Sequence, residues 1–249
     1  MVEVMTSYKE TEIGSIPADW DVAALHTLGT GSVPAVKAGP FGSAITKDMY
    51  VRRGYKVYGQ EQVIRGDHEF GDYYIDEAKY RELSSYRITP GDILFSLVGT
   101  LGKTLVVPDD ATDGVINPRL LRLSLDPDCI NPNFLKQLFE SDHFQSILSR
   151  YAQGGTMGIL NARILRSVQI PLPPLPEQRA IAEALSDVDA LIERLDALIA
   201  KKRAVKTATM QQLLTGQQRL PGFDGAWETR RLGEIGDFSK GRGIPKKDT

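Results

Sequence analysis

Pro171-Leu172-Pro173-Pro174-Leu175-Pro176-Glu177-Gln178-Arg179-Ala180-Ile181 is the stretch on which the architecture turns. Four prolines within residues 171–176 force an extended, stiff connector and forbid a helix until the run ends. Pro176 suits a first helical turn, where its missing N–H would have no partner anyway, and Glu177 suits the positive end of the helix dipole. Neither proline nor glycine recurs before Gly216, which suits a C-terminal cap. The pattern predicts one helix over residues 177–215, a rod roughly 58 Å long at about 1.5 Å per residue. That exceeds the diameter of a small domain, so the rod is expected to span between bodies.

The rod carries a seam. Ile181, Leu185, Val188, Ile192, Leu195 and Ile199 follow one another at steps of 4, 3, 4, 3 and 4, the spacing of a coiled coil. Leu191 and Leu198 widen the stripe enough to serve a second neighbour. Residues 177–196 hold six acids (Glu177, Glu183, Asp187, Asp189, Glu193, Asp196) against Arg179 and Arg194. Residues 201–206 hold Lys201, Lys202, Arg203 and Lys206 with no acid. Two such helices laid antiparallel would bring acidic halves against basic halves. The same order suits each helix's own dipole, so it favours an antiparallel partner without requiring one.

Upstream the texture is β-rich from about residue 36 to 125. Tyr55 to Ile64 and Asp72 to Ile75 read as strands, Glu77 to Leu83 as a short helix, and Thr89-Pro90-Gly91-Asp92 as a turn leading into a strand over Ile93 to Ser96. Leu121 to Leu125 alternates as a half-buried strand should. Asn131-Pro132 opens a helix by cap chemistry, with a break at Ser141, and Val168 to Ile170 returns to extended chain. An opening segment, residues 12–30, is expected to be pinned by Trp20.

Composition bounds the function classes. With 249 residues, 41% apolar and 25% charged, the chain is an ordinary globular protein with ample core. No run of about 18 apolar residues suggests a membrane span, and the N-terminus lacks a secretory pattern. One cysteine, Cys129, excludes an internal disulfide framework and suits a reducing cytoplasm, where the protein is expected to act. His26, His68 and His143 lack metal-ligand spacing. The net charge of −2 does not advertise nucleic-acid binding, so a DNA face would need uneven charge distribution or partners that add positive surface.

The end of the chain echoes its beginning. Trp20-Asp21-Val22-Ala23-Ala24-Leu25 matches Trp227-Glu228-Thr229-Arg230-Arg231-Leu232 in pattern, and Ile45 to Asp48 has a loose echo in Ile244 to Asp248. The offset of about 200 to 207 residues is too long for a solenoid. It predicts two copies of a globular unit, each followed by a rod, with the second copy only begun.

Ile170-Pro171-Leu172-Pro173-Pro174-Leu175-Pro176-Glu177-Gln178-Arg179-Ala180-Ile181 resembles the opening of the long helix in specificity subunits of type I restriction–modification systems. Lys206 through Met210-Gln211-Gln212-Leu213-Leu214-Thr215-Gly216, followed by Arg219-Leu220-Pro221-Gly222-Phe223, resembles its end. Ile16-Pro17 with Trp20, Gly91-Asp92-Ile93-Leu94-Phe95-Ser96, Gly99-Thr100-Leu101-Gly102-Lys103 and Gly154-Gly155-Thr156 resemble further family elements. The resemblance covers essentially the whole chain, in a truncated or half-length form.

The resemblance implies a fold of α/β (α+β type): one globular target-recognition domain with a β-rich core (1–170), a proline-rich connector (171–176), a long coiled-coil-forming helix (177–215), and the start of a second, truncated unit (216–249). It implies sequence-specific reading of double-stranded DNA without catalysis by this chain. Modification (methyltransferase) subunits would methylate adenine, and restriction subunits would cleave. S-adenosylmethionine, ATP and Mg²⁺ would be used by those partners, with no cofactor in this chain. A complete family member carries two such domains, each reading half of a split target. Two copies of this chain, self-associating antiparallel through the long helix, would instead read a symmetric one. The interface would be Ile181, Leu185, Val188, Leu191, Ile192, Leu195, Leu198 and Ile199.

Chemistry within the chain itself finds little footing. Gly99 to Thr104 imitates the end of a phosphate loop, but Leu97 stands where its first glycine belongs, and Thr104 to Pro108 reads as a strand. Asp67, Glu77 and Lys79 could imitate a nuclease metal site. The cofactor loop and catalytic Asn-Pro-Pro-aromatic motif of adenine methyltransferases are absent from the sequence. Base reading needs Arg, Lys, Asn, Gln, Ser or Thr at groove edges, and phosphate contact needs cations. The candidates for touching DNA are Lys37, Ser43 and Lys47 around a glycine loop suited to close backbone approach. Gln60, Arg65, Thr100, Lys103 and Arg119 lie on the β-rich body, and Gln153, Thr156 and Asn161 in or beside a glycine loop. Two rival readings stay open here, a coiled-coil scaffold that does not read DNA and a self-sufficient nuclease.

Overall fold

The computed structural model describes residues 7–97, 102–153 and 161–241. In chain order the elements are β1 (Tyr8–Thr11), β2 (Gly14–Pro17), β3 (Asp21–Ala24), β4 (Val36–Ala38), β5 (Tyr55–Tyr58), α1 (Gln60–Arg65), β6 (Tyr74–Ile75), α2 (Glu77–Glu82), β7 (Ile93–Ser96), β8 (Thr104–Val106), β9 (Gly114–Ile116), β10 (Leu120–Leu123), α3 (Pro132–Glu140), α4 (Asp142–Gln153), α5 (Ala162–Ser167), β11 (Gln169–Leu172), α6 (Leu175–Leu214) and α7 (Leu232–Ile235). Residues up to Val188 form one compact unit, and Asp189 onward forms another.

The first unit is layered. Strands β4, β10, β7 and β8 make an antiparallel sheet in that order. Side chains alternate across a strand. Val36, Ile93, Phe95, Leu121 and Leu123 therefore share one face, in a core with Phe134, Leu135 and Phe139 of α3 and Phe144, Ile147 and Leu148 of α4. Leu94, Leu105 and Leu120 belong to a second core with Tyr58 and Ile116, which come from a three-stranded sheet of order β6, β5, β9. In that sheet β5 pairs with β9 in parallel and with β6 antiparallel. Its Val57, Ile75 and Val115 form a third core with Ile45 and Leu83.

Two strand expectations are corrected. Residues 55–64 are not one strand: β5 ends at Tyr58, and Gln60 begins helix α1. The Gln62 side chain is the cause. Its Oε1 accepts from the Gly59 N–H at 2.9 Å, and its Nε2 donates to Phe70 O at 2.7 Å, so a polar residue in an apolar run caps a helix start. Leu121 to Leu125 is not half-buried either. Every residue of β10 is buried, because the sheet is covered on both faces.

Arg122 is buried with its charge matched by Asp92, at 3.8 Å from Nε to Oδ2. Asp92 also accepts from Ser124 Oγ at 2.6 Å and from the Thr89 N–H at 2.8 Å. Burial pushes the Asp92 carboxyl above its ordinary range, against the opposing pull of Ser124, Thr89 and Arg122.

The proline connector begins as a strand. β11 runs through Pro171 and Leu172 and pairs antiparallel with β3, so the first and last parts of the body are joined. Helix α6 then starts at Leu175, two residues before the expected start, and ends at Leu214. At 40 residues its length is roughly 60 Å. Gly216 follows with φ 72°, its N–H on Leu213 O at 3.3 Å, in the capping role expected of it.

The Pro-Glu-Gln run has a structural purpose. Glu177 Oε2 accepts from Trp20 Nε1 at 3.1 Å, which pins the opening segment. Gln178 is wholly buried. Its Oε1 accepts from the Asn131 N–H at 2.8 Å, and its Nε2 donates to Pro173 O at 2.8 Å and Cys129 O at 3.2 Å. Ala182 is buried in the main core, and Ile181 packs against it. Ile181 is therefore taken up by its own body, whereas the seam residues from Leu185 to Ile199 are each 44–54% exposed. No residue described from 183 to 241 is buried.

The second unit echoes the first by itself. Leu232–Ile235 is a helical turn at the position matching the 3-10 turn Leu25–Leu28. No strand forms at residues 228–231, whereas β3 is paired with β11. Trp227 lies instead against Gly216 and under the Arg219 guanidinium, 5.6 Å from the ring centre. The echo in residues 244–248 lies outside the described residues.

Replacing Gln178 with leucine keeps the volume but leaves the Asn131 N–H and two carbonyls without this partner. Gln178→Leu is expected to cost about 2–3 kcal/mol, read as a lower denaturant midpoint at unchanged m-value. A midpoint equal to that of the unaltered chain would show that water replaces the amide.

Candidate nucleic-acid interface

Three loops meet around Asn117. Its N–H bonds Tyr58 O at 2.8 Å at the end of β5, and its Oδ1 accepts from the Arg119 N–H at 2.9 Å. That side-chain turn directs Pro118 and Arg119 away from β9 before β10 begins. The loop of residues 39–43 is held against it. Gly39 donates to Leu120 O at 2.9 Å, and a Cβ at Gly39 would stand 1.9 Å from Asn117 O. The glycine loop is thus built for close backbone approach, but the backbone it approaches is the protein's own.

The convergence makes a cleft of about 410 Å³ lined by Lys47, Gln60, Glu61, Tyr73, Asn117 and Arg119, with Gly42 beside Ser43 at its rim. Ile45 and Val57 contribute apolar surface from the third core. Tyr50 and Tyr73 meet along one wall, ring centres 5.3 Å apart at 45°. Burial, then the neighbouring Tyr73, raise the Tyr50 hydroxyl above its ordinary range, so it stays protonated. Gln60 heads α1 and donates to Ser96 Oγ at 3.0 Å. Lys47 and Arg119 are exposed, and neither is ion-paired among the described residues. Two cations, an amide and an Asx turn around an aromatic wall are groups that hydrogen-bond base edges and phosphates.

The sequence-derived candidates therefore divide. Lys47, Gln60 and Arg119 share the cleft, whereas Ser43 is not among its lining residues, although Gly42 before it is. Lys37 lies on β4, its ammonium 4.8 Å over the Tyr86 ring and in register with Arg122. Lys103 precedes β8 at the opposite edge of that four-stranded sheet, 3.9 Å from Glu140; three strand spacings of ~4.8 Å separate the two edges. Arg65 ends α1 with its guanidinium 3.9 Å from the Phe70 ring centre. Asn161 caps α5, its Oδ1 accepting from the Arg163 and Ile164 N–H groups. Gln153 is the last residue of α4. Thr100 and Thr156 lie outside the described residues.

Tyr50, Tyr73 and Asn117 line the cleft without having been singled out. Tyrosines interleaved with basic residues at 50–55 were the available signal. The nuclease-like trio does not assemble: Glu77 pairs with Arg81, Lys79 with Glu82 at 2.8 Å, and Asp67 accepts from the Glu69 N–H. Among the described residues no group of three or more His, Cys, Asp or Glu side chains could hold a metal ion, and no helix is long and apolar enough to cross a membrane. Thr104–Val106 is a strand, as expected where a phosphate loop would need a helix.

Comparison with known proteins places this geometry in context. Residues 42–201, which include the cleft and α6 as far as Lys201, match the family described as type I restriction modification DNA specificity domain. The putative type I restriction enzyme MjaX specificity subunit of Methanocaldococcus jannaschii is 28% identical over 84% of this chain and 48% of its own length. The MjaVIII specificity subunit of the same organism is 27% identical over 88% of this chain and 51% of its own. The chain thus spans about half the length of the curated relatives it matches. The HsdS subunit of Thermoanaerobacter tengcongensis superposes with a TM-score of 0.51 at 21% identity, over 79% of this chain and 45% of that one.

Gly39→Ala is expected to destabilise the body by about 1–3 kcal/mol, the usual cost of overpacking, because Asn117 O must move. Gly42→Ala, with nothing within 4 Å of the added atom, should leave the unfolding midpoint unchanged. Equal midpoints for the two variants would contradict the close approach at Asn117.

Proposed function

The chain belongs to the type I restriction modification DNA specificity family, and from that premise we propose that it reads sequence in double-stranded DNA and performs no catalysis itself. On this reading it is a DNA-recognition unit that directs adenine methylation and cleavage by partner subunits. Modification and restriction subunits supply the chemistry and use S-adenosylmethionine, ATP and Mg²⁺. The complex works in the cytoplasm.

The observation that carries the proposal is a division of surfaces within one chain. A folded body offers a cleft with exposed cations and hydrogen-bonding side chains. The helix that leaves its last strand exposes a heptad seam from Leu185 to Ile199. An exposed apolar row of that regularity is what a partner helix covers. The acidic first half and basic stretch at 201–206 suit an antiparallel partner, either a second copy of this chain or a helix of a modification subunit. A pure scaffold would need the seam and would have no use for the cleft.

The deciding experiment is co-purification with the modification subunit, followed by mapping of methylated adenines. A defined, split target that changes when Arg119 and Gln60 are replaced supports the reading. Methylation independent of this chain defeats it. Leu185→Glu with Ile192→Glu should weaken assembly at least about tenfold, a loss of ~1.4 kcal/mol or more, while the circular dichroism of the body is unchanged because neither residue is buried. Assembly at full strength would remove the seam from the interface.

A further inference from the structure

A second feature adjoins the cleft and is not needed to form it. Tyr50-Val51-Arg52-Arg53-Gly54-Tyr55 makes a tight turn into β5. The turn is fixed at both ends. The Val51 N–H bonds Tyr74 O at 2.9 Å, and Tyr55 pairs with Ile75 in the sheet. Gly54 holds the corner at φ 156°, where a Cβ would stand 2.2 Å from Ile75 O. Only glycine fits such a position, and the chain is anchored on both sides of the tip. At that tip Arg52 and Arg53 are both exposed, and among the described residues neither is ion-paired.

The two arginines line an open concavity with Tyr50, Asp72 and Tyr74. Tyr50 also lines the cleft, and its ring meets Tyr73 of the cleft wall, so concavity and cleft adjoin at Tyr50. Along this strip stand four cations, Lys47, Arg52, Arg53 and Arg119, against two carboxylates, Glu61 and Asp72. Asp72 is also claimed from behind: with Asp67 and Glu69 it faces the buried Lys56 ammonium, which donates to Glu69 O at 2.6 Å. The strip is thus locally positive in a chain whose net charge is −2.

We infer that the Arg52–Arg53 turn is a phosphate clamp that grips the DNA backbone beside the base-reading cleft and sets the register in which the cleft meets the bases. The inference rests on the DNA-reading proposal and adds a separate site to it. Guanidinium groups on a stiff turn suit bidentate phosphate contact. Contacts to phosphate position a protein without selecting sequence. The clamp therefore raises affinity for every duplex alike, while Gln60 and Arg119 in the cleft select among them.

The test uses the full chain and a labelled random-sequence DNA duplex, with binding followed by fluorescence anisotropy across a KCl series. Arg52→Ala with Arg53→Ala should weaken binding about tenfold near 0.1 M salt and lower the slope of log affinity against log salt by about 2, one released counterion per lost contact. Arg52→Lys with Arg53→Lys should keep most of the slope. Arg81→Ala with Arg230→Ala removes the same charge from exposed, acid-paired arginines and should leave the slope unchanged. An unaltered slope in the first variant, or an equal fall in the third, overturns the clamp while leaving DNA reading intact. Failure of the unaltered chain to bind any duplex at low salt overturns the DNA-reading proposal, and the clamp with it.

Discussion

The buried amide of Gln178 ties together three separate pieces of backbone: the residue that caps α3, the turn before it, and the proline run that delivers α6. An amide out of reach of water must find partners for both its ends, and here both ends find them on backbone of the body. Because α6 is stiff, fixing its first turn fixes its rotation about its own axis. Ala182 then falls in the core, and the next residues of the stripe, Leu185 and Val188, fall outside it. Gln178 shares the anchoring of these first turns with the Trp20–Glu177 hydrogen bond and with Ile181 and Ala182 in the core.

The long helix was legible because its signals are local and redundant. Proline at one end, glycine at the other and an unbroken run of helix formers between them leave no competing structure. The break at Ser141 and the Asn131 cap were equally local, and both formed. The failures share one cause. Residues 55–64 and 121–125 are short stretches of mixed apolar and polar residues whose periodicity cannot separate a strand from a strand that gives way to a helix, or one covered face from two. What decided them was distant in sequence: Phe70 for the helix at Gln60, and the second sheet for the outer face of β10.

The cleft side chains were legible as residue types and not as a set. Lys47, Gln60 and Arg119 come from three loops whose meeting depends on the space left by Gly39 and on the Asn117 turn. A single sequence carries no mark of that meeting. Lys37 and Lys103 had equal claim by composition, yet they sit at opposite edges of one sheet. Ile181 shows the converse error. It keeps the heptad spacing perfectly, but the spacing cannot tell where the helix stops leaning on its own body and begins to wait for another.

That wait has a physical cost which bears on how the two halves of the chain work together. From residue 183 to 214 the helix buries nothing, and a lone helix draws little stability from propensity in water. What steadies it is the anchored first turn, the Gly216 cap and the ordering of charge along its dipole. Covering the seam would add the burial of seven large apolar side chains, Leu185, Val188, Leu191, Ile192, Leu195, Leu198 and Ile199, each worth up to about 1.5–3 kcal/mol when fully desolvated. On the proposed reading, covering the seam would therefore also order the helix. The helix meets the body at its first turn, where the Gln178 amide bonds Asn131, Cys129 and Pro173 and Glu177 accepts from Trp20.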